Sequence, residues 1–448
     1  MLRVGFLKAA LPLPRDPFDL TGFGNREGPA TGVHDHPAAR VLVAGDGTAP
    51  PVAVVALDLL ALDHAFVRRL KRRIEKETGI PPGRVMVACT HTHSGPASIL
   101  LNGCGDVDEE WRSGPLIDGV ARAVFNARGR MAECEMSLAT ARVRGVSYLR
   151  RRVKRGSKQT ILGKSGADRI AEPQRLDDRL LVAAFRRPGG AALGGLVNFS
   201  AHPVVLAGNN RKVSADFPGY AARALERGLG ARAVSVYLSG TCGDINSDPC
   251  GGDFERAREI GEALAGAALA SIRSARPAST GPADRPAVAA ASCTIDLPLM
   301  RPNRHEIAES LRGLSAPDPQ PPPWKGGQIA WAKGTLRQID AGKADRTVAA
   351  EVQAIRIGNL CLIGVPAETF QAIGGAIRRA GPRRFTAVVG YANGCIGYLP
   401  TREAYPNGGY EVQTAHRYYG HPAVVAPEAG ERVVAAAIEL LGEVAGAH

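Results

Sequence analysis

Three stretches of this chain follow one plan: an apolar strand, a helix, a second apolar strand, then a loop rich in Gly, His, Asp or Asn. In the first, Val52–Leu57 reads as a buried strand, and His64–Glu77 carries Phe66, Leu70 and Ile74 at helical spacing. Arg84–Cys89 is the second strand and runs into Thr90-His-Thr-His-Ser-Gly-Pro96. In the second stretch, Leu193–Asn198 is followed by a loop carrying His202 and a helix from Phe217, with Asp216 as its expected N-cap. Ala233–Leu238 then leads into Ser239-Gly-Thr-Cys-Gly-Asp-Ile-Asn246. In the third, Leu360–Gly364, a loop with Glu368 and a helix over Phe370–Arg379 precede Phe385–Gly390 and a loop ending in Tyr398. Two strands joined through a helix favour parallel pairing with a right-handed crossover. Sites in such sheets gather beyond the carboxyl ends of the strands. The expected fold is α/β, with mixed, largely parallel twisted sheets flanked by helices. The three units share a plan rather than residues, so no sequence duplication is read from them.

The rest of the chain narrows the class. At 448 residues, 45% apolar and 22% charged, it has globular composition and enough length for a large core. Helical patterns at 304–313 and 328–341, split by Pro317-Asp-Pro-Gln-Pro-Pro-Pro323, read as a helical, proline-rich insertion (301–345) within a single catalytic domain over 1–448. Arg3 and Lys8 interrupt the apolar N-terminus, which reads as a first strand and not as a leader. No apolar run approaches the roughly 18 residues of a membrane span. The eight cysteines form no CxxC pair, which fits reduced thiols and a cytoplasmic location. A net charge of +13 and the run Leu149-Arg-Arg-Arg-Val-Lys-Arg155 raise nucleic-acid binding as a second class of function. The other basic residues are dispersed, no aromatic stacking pattern accompanies them and no zinc-finger spacing exists, so no nucleic-acid partner is expected.

The ten histidines are few enough for their placement to inform. His91 and His93 stand two apart just after a strand, and in an extended segment both would face one side, as metal ligands do. The bland alternative is a polar loop. His202 alone reads as structural, and Glu368 alone as a helix cap. Together they gain weight, because each follows a strand end of its own unit. Two imidazoles and a carboxylate with open positions make a catalytic zinc composition. The amidohydrolase barrel also places His-x-His after a strand, but it wants further histidines at later strand ends. Here those after 202 are only 305, 416, 421 and 448. His34 and His36 read as surface residues before a second metal site, and Cys89 and Cys242 as small buried thiols. His416 and Tyr418-Tyr-Gly420 read as a rim.

These motifs, in this order, resemble the catalytic domain of the neutral (non-lysosomal) ceramidases, with this chain as a shortened, divergent bacterial-type member. The likeness runs through Leu20-Thr-Gly-Phe-Gly24, Thr90–Pro96, Asn198-Phe-Ser-Ala-His-Pro203, Ser214-Ala-Asp-Phe-Pro-Gly-Tyr220, Gly243-Asp-Ile-Asn246, Pro366-Ala-Glu368 and Tyr398 with Tyr410-Glu411. The resemblance implies one zinc ion held by His91, His202, Glu368 and Tyr398. It implies that His93, Tyr410 and an arginine contact the reacting carbonyl oxygen, with Arg150 assigned and Arg151 as competitor, and that Gly22 lends backbone to the pocket. It implies hydrolysis of an amide (N-acyl) bond in a small-molecule substrate. The family carries a serine where this chain has Asn246, so Asn246 is left a hydrogen-bonding role and the chemistry would rest on metal-activated water. Asp244 is expected to orient a metal ligand from behind. The relatives' C-terminal sandwich domain is not expected here, and this together with the missing serine motivates an ester, lactone or cyclic amide as alternative substrates.

Overall fold

Each strand–helix–strand unit forms one edge of its own sheet, behind an antiparallel meander. The computed structural model describes residues 1–154, 159–163, 169–275, 277–278, 288–381 and 384–446. In the first sheet β1 (Arg3–Ala10), β2 (Ala38–Gly45) and β3 (Val52–Leu57) pair antiparallel in order. Helix α1 (His64–Thr78) then crosses over to β4 (Val85–Cys89), parallel to β3. Helix α2 (Ile117–Gly129) follows and lies over β1 and β2. The second sheet repeats the scheme with β5 (Glu135–Arg142), β6 (Arg179–Arg186), β7 (Ala192–Phe199), α3 (Asp216–Leu229) and the parallel β8 (Val234–Ser239), backed by α4 (Phe254–Arg273). The third does so with β9 (Val288–Pro298), β10 (Thr347–Ile357) and β11 (Leu360–Gly364). Between β9 and β10 stand α5 (Arg304–Ser315) and α6 (Lys325–Asp340), and α7 (Gln371–Ala380) crosses to β12 (Phe385–Val389), parallel to β11, before the closing α8 (Ala429–Ala445).

The sheets are therefore mixed, as expected, but not largely parallel. Parallel pairing among these strands occurs only between the third and fourth strand of each sheet, where a helix makes the return. The other strands pair antiparallel, some across tight turns (46–51, 187–191 and 358–359) and some across long excursions such as the one that carries α5 and α6 between β9 and β10. Asp216 also departs from expectation. It is the first residue of α3, has φ 52° and is fully buried, and its carboxylate accepts from the Leu206 and Phe217 amides. It ties the His202 loop to α3 from inside the helix. Of the basic run, Arg155 lies outside the described residues.

Strand alternation sorts the apolar residues into layers. On β2, Val41 and Val43 face the helices, while Leu42 and Ala44 face inward. The inward cluster draws on all three sheets, with Val54 and Met86 from the first, Leu181 and Leu238 from the second, and Ile355 and Val389 from the third. The three sheets thus back onto one central core, and the helices cover their outer faces.

At the carboxyl ends of the fourth strands the sheets are tied in a ring. The Cys89 amide donates to Tyr391 O, the Gly390 amide to Ser239 O, and Ser239 Oγ to Thr90 O. Asn198, at the end of β7, adds a staple by donating to Leu238 O at 3.1 Å and Val388 O at 3.2 Å. Asn198→Ala leaves two buried carbonyls without this donor and should cost about 1–3 kcal/mol. Urea unfolding checks this, and wild-type stability would show that the sheets need no such staple.

Candidate metal centre and its cavity

The loops that leave β4, β7 and β11 carry His91 and His93, His202, and Glu368 to one place beneath this ring. Each imidazole is anchored by its Nδ1 to a backbone carbonyl: His91 to Leu60 O at 2.9 Å, His93 to Gly22 O at 3.0 Å, His202 to Cys242 O at 2.7 Å. A carbonyl only accepts, so each Nδ1 carries a proton, and in the neutral ring the Nε2 is then bare. Those atoms converge. His91 Nε2 lies 3.1 Å from His202 Nε2 and 3.2 Å from His93 Nε2. Glu368 Oε2 lies 2.9 Å from His202 Nε2 and 3.3 Å from His91 Nε2. The other carboxylate oxygen, Oε1, accepts from Tyr419 Oη at 2.5 Å. Oε2 is buried with no donor in hydrogen-bonding geometry.

Lone pairs at this distance repel unless a cation lies between them. Ligand atoms about 2.0–2.1 Å from one tetrahedral zinc lie about 3.3 Å apart, close to the separations found. The donor set therefore fits a divalent metal, and His91, His93 and His202 form the cluster suited to one. Burial, with His91 and His202 close by, holds His93 well below the usual imidazole range. Burial and Arg150 bring His202 down to about 4. Both imidazoles are thus kept neutral near neutral pH.

Local backbone makes the convergence possible. The His-x-His segment is not extended, as the spacing suggested. His91 has φ 65°, and its ring stands at 87° to that of His93. Tyr391, two residues past β12 as His91 is past β4, also has positive φ (54°) and stacks on the His91 ring at 3.8 Å and 12°. Gly22 has φ 114°, and a Cβ there would stand 2.6 Å from His93 Nδ1, so only glycine lets its carbonyl reach that nitrogen.

A second group of residues forms the adjoining wall. Short strands Glu368–Thr369 and Tyr398–Leu399 pair in parallel with Glu368 opposite Tyr398. Antiparallel pairing of Ser147–Leu149 with Ile245–Ser247 sets Asn246 opposite Tyr148. Arg150 then donates to Tyr398 Oη at 2.8 Å, Asn246 Oδ1 at 3.2 Å and Glu411 Oε1 at 3.1 Å. Arg151 points away, to Glu172, Glu411 and Gly408 O, so Arg150 is the arginine at the cavity. Tyr410 stands edge-on to Tyr398, with ring centroids 5.5 Å apart. Gly22, His93, Arg150, Asn246, Tyr398 and Tyr410 all line a cavity of about 660 Å³.

The roles of three residues escaped the sequence. Glu411, fully buried, sits between the two arginines, and a buried Arg-Arg pair demands such a counter-charge. Tyr419 holds Glu368, and Tyr391 backs His91. Asp244 does not orient a metal ligand. Its carboxylate accepts from the Gln371 amide and Gln174 Nε2, and burial pushes it up to about 7. His34 is exposed, stacked on Phe254 and beside Asp35, and His36 is exposed as well, so neither adds to the centre. Cys89 and Cys242 are buried free thiols, and burial raises Cys242 to about 12. His416 packs edge-on to Trp331.

The family profile of the neutral/alkaline non-lysosomal ceramidase N-terminal region matches residues 13–285. A neutral ceramidase of Pseudomonas aeruginosa is 24% identical over 91% of this chain and 68% of its own length. One of Mycobacterium tuberculosis is 23% identical over 88% of this chain and 70% of its own. The solved structure of the Pseudomonas aeruginosa neutral ceramidase has a TM-score of 0.72 to this chain at 20% identity, covering 98% of this chain and 74% of that one. At that identity the structural likeness is one of fold.

Tyr419→Phe removes the donor to Glu368 Oε1 and frees the carboxylate to turn. Divalent-metal affinity, measured by chelator competition, should fall about 10- to 100-fold. Unchanged affinity would mean that Glu368 is held by something other than Tyr419.

Proposed function

This chain belongs to the neutral/alkaline non-lysosomal ceramidase family, and on that premise we propose that it is a zinc-dependent hydrolase of an N-acyl amide bond in a small-molecule substrate. The observation that carries the proposal is the convergence of bare imidazole nitrogens on a buried carboxylate oxygen that has no donor. In this reading His91, His202 and Glu368 hold the zinc, with Tyr398 as the fourth ligand. Bound there, zinc supplies a Lewis acid for the substrate carbonyl and brings the pKa of water toward 7.

The protein's own groups supply the remainder. His93 is fixed by Gly22 O through Nδ1 and kept neutral by burial, so its Nε2 is the atom that takes up or delivers a proton. Arg150, braced by Glu411 and Asn246, keeps a permanent positive charge at the cavity wall. A charge placed before the reaction begins stabilises a developing oxyanion without reorganisation. Tyr410 brings a hydroxyl to the same cavity as a second donor for that oxygen. Asn246 offers no nucleophile. Its Oδ1 orients Arg150, so water is the attacking group.

Metal-free protein should lose hydrolysis of N-acyl amines, and one equivalent of zinc should restore it. Full activity in the stripped protein would overturn the assignment. Arg150→Ala should lower kcat by about 10²- to 10³-fold. If the chain turned over esters or lactones and left N-acyl amines intact, the bond assignment would fail while the metal assignment stood.

A further inference from the structure

A second site of opposite character lies at the far end of α7 from Glu368. Arg179 opens β6, Arg378 and Arg379 occupy the last turn of α7, and Arg384 precedes β12. With Gly375 and Thr386 these four arginines line a concavity of about 240 Å³ at the seam between the second and third sheets. Arg179 is fixed across that seam. Its Nη1 donates to Thr386 O at 3.2 Å and its Nη2 to Arg384 O at 3.4 Å. Among the described residues one carboxylate faces the group, Asp177, and it is taken by Arg378 at 2.6 Å. The neighbouring Asp178 is taken by Arg142 and Arg144. Among the described residues, neither Arg379 nor Arg384 has an acidic partner.

Such crowding needs a reason. The C-terminal end of a helix attracts cations, which accounts for Arg378 and Arg379. It does not account for Arg179 and Arg384, which arrive from strands of two different sheets. Burial lowers the Arg179 pKa, and Arg378, Arg142 and Arg384 lower it further, so the group feels its neighbours as repulsion. Guanidinium forks match the oxygen pairs of tetrahedral oxyanions, whereas lysines would act only as point charges. Gly375, with Arg379 Nη1 only 3.2 Å from where its Cβ would stand, leaves room for the guanidinium along the helix.

We propose that this concavity binds a phosphate-class oxyanion, as a free ion or as the phosphate of a headgroup. The site stands apart from the candidate metal centre, and nothing in the proposal depends on the hydrolase reading. The test uses the full chain, the double variant R379Q/R384Q and R379Q alone, the last altering a single exposed side chain. Inorganic phosphate is titrated at constant ionic strength with thermal melting as the readout. Co-sedimentation with phosphatidylglycerol vesicles, against phosphatidylcholine vesicles, is the second arm. The wild type should be stabilised saturably by phosphate or should sediment with the anionic vesicles. The double variant should bind at least 10-fold more weakly, and should melt higher than wild type in low salt without phosphate, because the repulsion is relieved. A phosphate response identifies the free ion as the source, and vesicle binding alone identifies the headgroup. Absence of both, or equal binding by wild type and the double variant, overturns the proposal.

Discussion

Three backbone carbonyls set the chemistry of this chain. Leu60 O, Gly22 O and Cys242 O each accept from the Nδ1 of one histidine, which turns the opposite nitrogen inward and, in the neutral ring, leaves it without a proton. Every other feature of the centre follows from tolerating that arrangement. Glu368 adds negative charge at the point of convergence, Tyr419 occupies its other oxygen, and Tyr391 closes the back of His91. The cluster gathers donors with no cation of its own, and it could hold a metal ion.

The fold delivers those carbonyls by repeating one device. Three sheets, each an antiparallel meander ending in a helix crossover, bring their last strands to a common axis and bond them in a ring. The residues that matter sit just past strand ends, where backbone geometry departs from the strand. His91 and Tyr391 at positive φ are the clearest instance. His91 is held within its own unit, by Leu59 O and Leu60 O, while Tyr391 O accepts from the Cys89 amide of the first sheet; His91, His202 and Glu368 come one from each unit, so none of the three could build the centre alone.

How far the sequence disclosed this depends on which interactions were local. Strand and helix positions were legible because burial imposes period 2 or 3.6 on nearby residues, as in Val52–Leu57 and His64–Thr78. The parallel pairing within each strand–helix–strand unit was legible too, but the antiparallel pairing of the strands before it was not, since that depends on partners far along the chain. His91, His202 and Glu368 were recognisable by their equivalent places after strands. Glu411 was not, because its need arises only once Arg150 and Arg151 are buried side by side. The choice between those two arginines likewise required knowing which of them meets Tyr398. The net charge of +13 was legible as a number, but only the fold gathers Arg179, Arg378, Arg379 and Arg384 into one concavity.

The proposed chemistry turns on whether Nε2 of His91 and of His202, with Glu368 Oε2, form a metal site. Elemental analysis of the purified chain after exhaustive dialysis tests it most directly, with His91→Ala as the comparison. The account predicts one tightly held divalent ion per chain in the wild type and a much smaller fraction in the variant. A folded wild-type chain that holds no stoichiometric metal even after incubation with zinc would contradict it.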